Sequence, residues 1–178
     1  ILSSTGAYDP AATVSYSLAG DTLRRVTSGG TDEEYLNLYI RTAVSTADIL
    51  DPAVVDRFIA LTHEAYRERF GAAFYEKICG FFTDEPQYQR AHTPFTKMLY
   101  GYYREQYGED ILYGLGLLFA EKDGYRRFRY RYWKTMQHLM LESFAKKIYR
   151  WCHEHRVRFT GHYIEEGNLS GQMLCCAG

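Results

Sequence analysis

The sequence predicts a mixed α/β fold in which parallel strands alternate with helices. Three observations lead to this prediction: two short strand-like segments near residues 78–82 and 157–163, helical apolar spacing before and between them, and a β-hairpin pattern ahead of both. A strand–helix–strand order implies parallel strands. Because a complete (β/α)8 TIM barrel needs about 250 residues, a chain of 178 residues is expected to supply part of one.

The beginning of the chain has the pattern of antiparallel β-structure. Residues 12–18 alternate apolar with polar side chains, and residues 23–26 can form the return strand after a turn. Residues 35–44 are rich in β-branched and aromatic side chains and predict a further strand. We therefore divide the chain into residues 1–46, a β-hairpin insertion or flanking β segment, and residues 47–178, part of the barrel.

The barrel part begins with a well-marked helix. Asp51-Pro52 combines a capping side chain with proline at the first helical position, and Gly71 stands where the helix should end. The continuous apolar run at residues 78–82 predicts a strand buried on both faces. Thr93-Pro94 is expected to open another helix, which ends at Gly108.

The second half of the chain is dominated by one long helical pattern. Residues 111–120 are ambiguous because Gly114 and Gly116 weaken a helix. A long helix is then expected from about residue 123 to about residue 155, and it ends before the strand at residues 157–163. Its apolar stripe consists of Phe128, Tyr132, Met136, Leu139, Met140, Phe144, Ile148 and Trp151.

Composition excludes several classes of protein. With 46% hydrophobic and 24% charged residues, the chain is not expected to be disordered. A net charge of −1 argues against nucleic acid as a partner, and no apolar run is long enough for a membrane span. The four cysteines lack zinc spacing, and adjacent Cys175-Cys176 is a poor disulfide framework. Reduced thiols favour a cytoplasmic location, although secretion stays open because the chain starts at Ile1 without Met.

Acidic residues follow both predicted barrel strands. Asp84 and Glu85 follow the first strand, and Glu165 and Glu166 follow the second. Reactive groups of β/α barrels lie at the C-terminal strand ends, and a pair of carboxylates is what glycosidic-bond hydrolysis requires. The alternative is that these acids cap helices or face water. Consecutive strand side chains point in opposite directions, so a bulge or loop start at Thr83 is needed if Asp84 and Glu85 share a cleft.

Several segments of the sequence resemble known proteins. The segment Gly80-Phe81-Phe82-Thr83-Asp84-Glu85-Pro86 resembles the fourth-strand motif of barrel glycoside hydrolases, in which Asn-Glu-Pro or Asp-Glu-Pro carries the acid/base glutamate. Residues 129–133, and residues 159–162 with Glu165-Glu166, are similar to bacterial glycoside hydrolases related to family 2 or to the family 106 α-L-rhamnosidases. The similarity runs from about Asp51 to the C-terminus. Asp84 stands where the best-known clan has Asn.

The resemblance implies a role for each acid. Glu85 is the general acid, which burial and the neighbouring Asp84 anion would keep protonated near neutral pH. Glu166 or Glu165 is the second carboxylate, acting as base or binding substrate. Asp84 binds sugar hydroxyls or helps to hold a cation. Glu85 is the preferred residue if only one of the adjacent pair enters the cleft.

The sequence also predicts roles for His162 and Tyr88 and allows alternative functions. His162 is expected to bind a hydroxyl group and Tyr88 to contact the sugar. No cofactor is certain, but family 106 implies calcium, and the acids named above with His162 form an oxygen-rich set that suits this ion. The remaining alternative is a non-catalytic carbohydrate-binding or scaffold piece. An open sheet edge would also favour self-association.

Overall fold

The protein is mixed α/β and mostly helical, with a small two-stranded parallel sheet. The computed structural model describes residues 14–19, 22–27, 38, 47–88, 93–164 and 167–175. The chain forms two compact units, one made of Ile1–Arg41 with Tyr103–Tyr130 and the other of Thr42–Tyr102 with Arg131–Gly178. No helix within the described residues is both long enough and apolar enough to cross a membrane.

The predicted β-hairpin is confirmed. Strands β1 (Val14–Ala19) and β2 (Thr22–Thr27) pair antiparallel, with Ala19 opposite Thr22 at the hairpin end. The further strand predicted at residues 35–44 lies outside the described residues, apart from Leu38, which is exposed.

The first helical segment starts and ends where the sequence indicated. The Asp51 side chain accepts a hydrogen bond of 3.0 Å from the backbone N–H of Ala53, and Gly71 ends the segment with a φ of 52°. Between them the chain includes a π-helical turn, which the apolar spacing did not indicate. The elements in order are α1 (Pro52–Ile59), the π turn (Ala60–Glu64), α2 (Ala65–Phe70), a 3₁₀ turn (Gly71–Ala73) and α3 (Phe74–Lys77).

The two predicted strands are confirmed and run parallel, the first of them two residues later than the predicted 78–82. Strand β3 (Gly80–Asp84) pairs with β4 (Arg158–His162), so that both strands end at the same edge. The prediction that the first of them is buried on both faces is wrong. Phe81 packs on His63 on one face, whereas Phe82, which alternation places on the other face, is 57% exposed.

The next helix, α4 (Met98–Tyr107), begins later than predicted from Thr93-Pro94. Thr96 determines the start, because its hydroxyl accepts a 3.3 Å hydrogen bond from the Met98 N–H and donates a 2.7 Å bond to Asp48. The predicted end is confirmed at Gly108, which has a φ of 67°.

The long helical pattern is also confirmed, with a second π turn inside it. The ambiguous stretch before it is a 3₁₀ helix (Ile111–Leu118). All eight residues of the predicted apolar stripe are buried. The remaining elements are α5 (Tyr125–Met140), the second π turn (Leu141–Ala145), α6 (Lys146–Glu154) and α7 (Leu169–Cys175).

The second π turn and α6 pack beside the first helical segment. The buried Ser143 hydroxyl donates a 2.9 Å hydrogen bond to the Leu50 carbonyl, and the Trp151 indole N–H donates a 2.6 Å bond to Glu64. Lys147 adds contacts to the Pro52 carbonyl and to Asp56. This packing fixes the helices that lead into β3 and β4, and so positions the strand ends.

Candidate functional site

The structure brings Asp84 and His162 together at the ends of the two parallel strands. They are register partners, and 3.4 Å separates the His162 Nδ1 from the Asp84 Oδ1. Both side chains are largely in solvent, Asp84 at 74% and His162 at 54% exposure. The ring of Phe82 meets the imidazole edge-on at 5.1 Å between centroids. A carboxylate and an imidazole are therefore presented on the same open strand edge.

Glu85 follows directly and has an unusual backbone conformation. Its φ is 49°, although it is not glycine, and side chains in this region cost about 1–3 kcal/mol. Its N–H still donates a 3.1 Å hydrogen bond to the His162 carbonyl. The strand therefore turns at Glu85, not at Thr83, which remains in register opposite Gly161. The bulge or loop start at Thr83 that would bring Asp84 and Glu85 into one cleft is not observed, and the irregular residue is Glu85, directly after the strand.

The surroundings of Glu85 differ from the expectation in one respect. Its side chain is exposed, so the burial that was expected to favour its protonated form is absent. The neighbouring carboxylate of Asp84 is present, as the sequence required.

Gly161 allows the two strands to approach each other immediately before their ends. Its φ is 151°, and a Cβ atom added there would lie 2.0 Å from the Thr83 carbonyl oxygen and 2.8 Å from the Thr83 hydroxyl. Neither distance is compatible with a side chain. Glycine at position 161 therefore allows the ends of β3 and β4 to pair at this distance.

An open hollow lies beside the end of β3. Its volume is about 340 Å³, and it includes Asp84 and Pro86, the two neighbours of Glu85. The complete lining is Ala47, Ile49, Phe58, Phe82, Thr83, Asp84, Pro86, Gln87 and Phe144. A ligand in this hollow would therefore lie next to the acidic strand end.

Tyr88 is half-buried a few residues further along. It influences Tyr132: burial is the main cause that raises the pKa of the Tyr132 phenol, and Tyr88 adds to it. The Tyr132 hydroxyl donates a hydrogen bond to the Pro94 carbonyl. The structure thus associates Tyr88 with this buried tyrosine.

The second predicted carboxylate is not placed by the structure. Glu165 and Glu166 lie outside the described residues, next to the buried Ile164. Over the part of the chain that is described, no three His, Cys, Asp or Glu side chains form a group that could hold a metal ion. The calcium alternative therefore depends on Glu165 and Glu166.

Sequence reasoning missed a buried histidine on the opposite face of β3. His63 is almost fully buried and stacks on Phe81 at 4.0 Å, with Trp151 edge-on at 5.1 Å. Its Nδ1 lies 2.7 Å from the Thr62 hydroxyl, and its Nε2 has no hydrogen-bond partner among the described residues. Burial lowers the pKa of His63 to about 4. His63 lies four positions after Ile59, on the apolar side of the helix, and this spacing could have predicted its burial.

Comparisons with known proteins identify no relative: no family model, curated protein or solved structure matches this chain. The arrangement itself offers two adjacent carboxylates, an imidazole and an apolar hollow at one edge. Such a set can bind hydroxyl groups and exchange a proton with a ligand.

Proposed function

We propose that this chain is part of the catalytic (β/α)8 barrel of a glycoside hydrolase, as the resemblance to family 2 and family 106 proteins implies. Glu85 is the general acid/base, and Glu165 or Glu166 is the second carboxylate. One observation supports the proposal most: Asp84-Glu85 and His162 share the C-terminal edge of two parallel strands, which is where barrel enzymes place their reactive groups.

In the proposed mechanism Glu85 protonates the oxygen that leaves the sugar, while Asp84 and His162 bind sugar hydroxyls. Tyr88 contacts the sugar in this proposal. The second carboxylate activates water or attacks the sugar carbon. A separation of about 5–5.5 Å between the two carboxylates gives retention, and about 6.5–9.5 Å gives inversion.

The test compares Glu85→Gln with wild type on two substrates. The kcat/KM of the variant should fall about 10²–10⁴-fold on a glycoside with a poor leaving group. The loss should be much smaller on a 4-nitrophenyl glycoside, since this leaving group needs little protonation. Glu105→Gln, which changes another exposed glutamate in α4, serves as the matched control. Equal losses of Glu85→Gln on both substrates would contradict the acid role.

A second candidate is a carbohydrate-binding piece without catalysis. The exposure of Glu85 supports it, because a solvated carboxylate can accept hydrogen bonds from sugar hydroxyls without taking part in a reaction. Sugar titrations followed by NMR distinguish the two. Shifts around Asp84 and His162 with no hydrolysis, in wild type as in Glu85→Gln, would favour this candidate.

We also propose that the chain self-associates. Phe82 is exposed on a sheet that, in the described residues, has only two strands, β3 and β4. In a sheet of only two strands, the outer side of each strand offers unpaired backbone N–H and C=O groups to a strand of another chain. Light scattering over a concentration series should show a mass above 20.7 kDa; a constant monomer mass at the highest concentration would contradict this.

A further inference from the structure

The apolar part of the hollow beside β3 consists mainly of phenylalanine rings. Three phenylalanine rings line it, those of Phe58, Phe82 and Phe144, together with Ile49 and Pro86. Phe58 is 41% and Phe82 57% exposed, so both rings are available to a ligand. The chain has seventeen tyrosines and ten phenylalanines, yet no tyrosine is part of the lining.

The choice of phenylalanine matters for what the hollow can bind. A tyrosine or tryptophan would add a hydrogen-bonding group at the ring edge, but these rings offer only apolar faces and edges. The polar atoms of the lining come from the end of β3 and the residues after it, chiefly Asp84 and Gln87. The hollow is therefore amphipathic, because its lining combines apolar rings with the Asp84 carboxylate.

Size and position narrow the occupant further. A volume of about 340 Å³ is near the lower limit for small-molecule pockets, which is about 300 Å³. A hollow of this volume can hold a single aromatic ring or two fused rings. Asp84 and Pro86, the sequence neighbours of Glu85, line the hollow, whereas Glu85 does not, so an occupant would have its polar end at the Asp84 carboxylate.

We infer that the hollow binds the flat, apolar leaving group of an aromatic glycoside, with the sugar directed toward Asp84 and His162. The inference rests on the proposed function, since it names the substrate class of the same site. Phe58 and Phe82 supply the two ring contacts, and the Asp84 carboxylate accepts a hydrogen bond from a hydroxyl of the sugar.

The experiment uses the full chain and the fluorescent phenol 4-methylumbelliferone, a flat two-ring aromatic that carries no sugar. Wild type should bind it saturably. Phe82→Thr, which keeps a strand-forming residue, and Phe58→Gln, which keeps a helix-forming one, should each weaken binding about three- to tenfold, the range for losing one ring contact. Phe119→Thr removes a phenylalanine of similar exposure, 54%, that is not part of the lining, and should leave binding unchanged.

Two further comparisons separate the outcomes. Glu85→Gln should bind the probe as wild type does while losing hydrolysis of glycosides with poor leaving groups. If no variant and no substrate shows hydrolysis but probe binding still depends on Phe82 and Phe58, the binding site stands and the glycosidase proposal fails. No saturable binding to wild type, or equal binding by the Phe82, Phe58 and Phe119 variants, would overturn the inference. Circular dichroism of each variant identifies any loss of folding, and either of the two lining variants alone suffices for the test.

Discussion

Replacing Gly161 by alanine should destabilise the protein strongly, because two separate costs arise at one position. The backbone there has a φ of 151°, a conformation that side-chain-bearing residues adopt at a cost of about 1–3 kcal/mol. The new Cβ would also lie 2.0 Å from the Thr83 carbonyl oxygen.

The second cost follows from how far the strands must move. Ordinary contact begins near 3.4 Å, so β3 and β4 have to separate by 3.4 − 2.0 = 1.4 Å at this point. Such a shift breaks about two ladder hydrogen bonds, each with a net value of about 0.5–1.5 kcal/mol. The two costs together predict a loss of about 2–6 kcal/mol in the free energy of unfolding.

Urea unfolding followed by circular dichroism measures this loss, and Gly101→Ala provides the matched control. Gly101 is exposed within α4, and nothing lies within 4 Å of an added Cβ. That variant should gain about 1 kcal/mol from helix propensity, so the two glycine-to-alanine changes have opposite signs. A Gly161→Ala protein as stable as wild type would refute the register of β3 on β4.

Two further predictions concern buried ionisable groups. Because burial lowers the pKa of His63 to about 4, the unfolded chain takes up a proton first, and stability should fall by about 3 kcal/mol as pH drops from about 6.5 to about 4. His63→Gln should remove this component from unfolding curves measured across that range; an unchanged pH profile would contradict it. Asp51→Ala should cost about 1–2 kcal/mol at neutral pH through loss of the helix cap. The hydrogen bond from Lys97 is the main cause that lowers the pKa of Asp51, so this deficit should shrink as pH falls below about 4, and a constant deficit would be inconsistent with it.

Helix content and strand direction could be predicted because each depends on local signals. The stripe from Phe128 to Trp151 repeats at helical spacing, and one face of the long helix is buried accordingly. Asp51-Pro52 and Gly108 mark helix ends through groups within a few residues of them.

Two of the wrong predictions concern features that are determined by long-range contacts. The start of α4 is determined by Thr96 and not by Thr93, because the Thr96 hydroxyl donates a hydrogen bond to Asp48, 48 positions away. The exposure of Phe82 depends on what covers the far face of the sheet, which an apolar run does not reveal. The π turns leave the apolar spacing of the flanking helices intact, so nothing in the pattern indicated them.

The candidate site was predictable in composition but not in conformation. The sequence placed Asp84 and His162 on neighbouring strand ends, and the structure pairs them at 3.4 Å. It did not indicate the left-handed backbone of Glu85, because only glycine commonly signals such a conformation. The phenylalanine hollow was missed for a related reason: Phe58 and Phe144 come from segments 86 positions apart.

The pairing of β3 with β4 also constrains the order in which the chain can fold. Gly80 lies opposite Arg158, 78 positions later, and contacts of such separation form slowly because a long loop must first close. β4 follows α6 directly, with the Val157 N–H still bonded to the Cys152 carbonyl. The acidic edge at Asp84 is therefore synthesised early but acquires its partner only after the intervening helices have been made and packed, so slow docking of the long helix would delay the site itself.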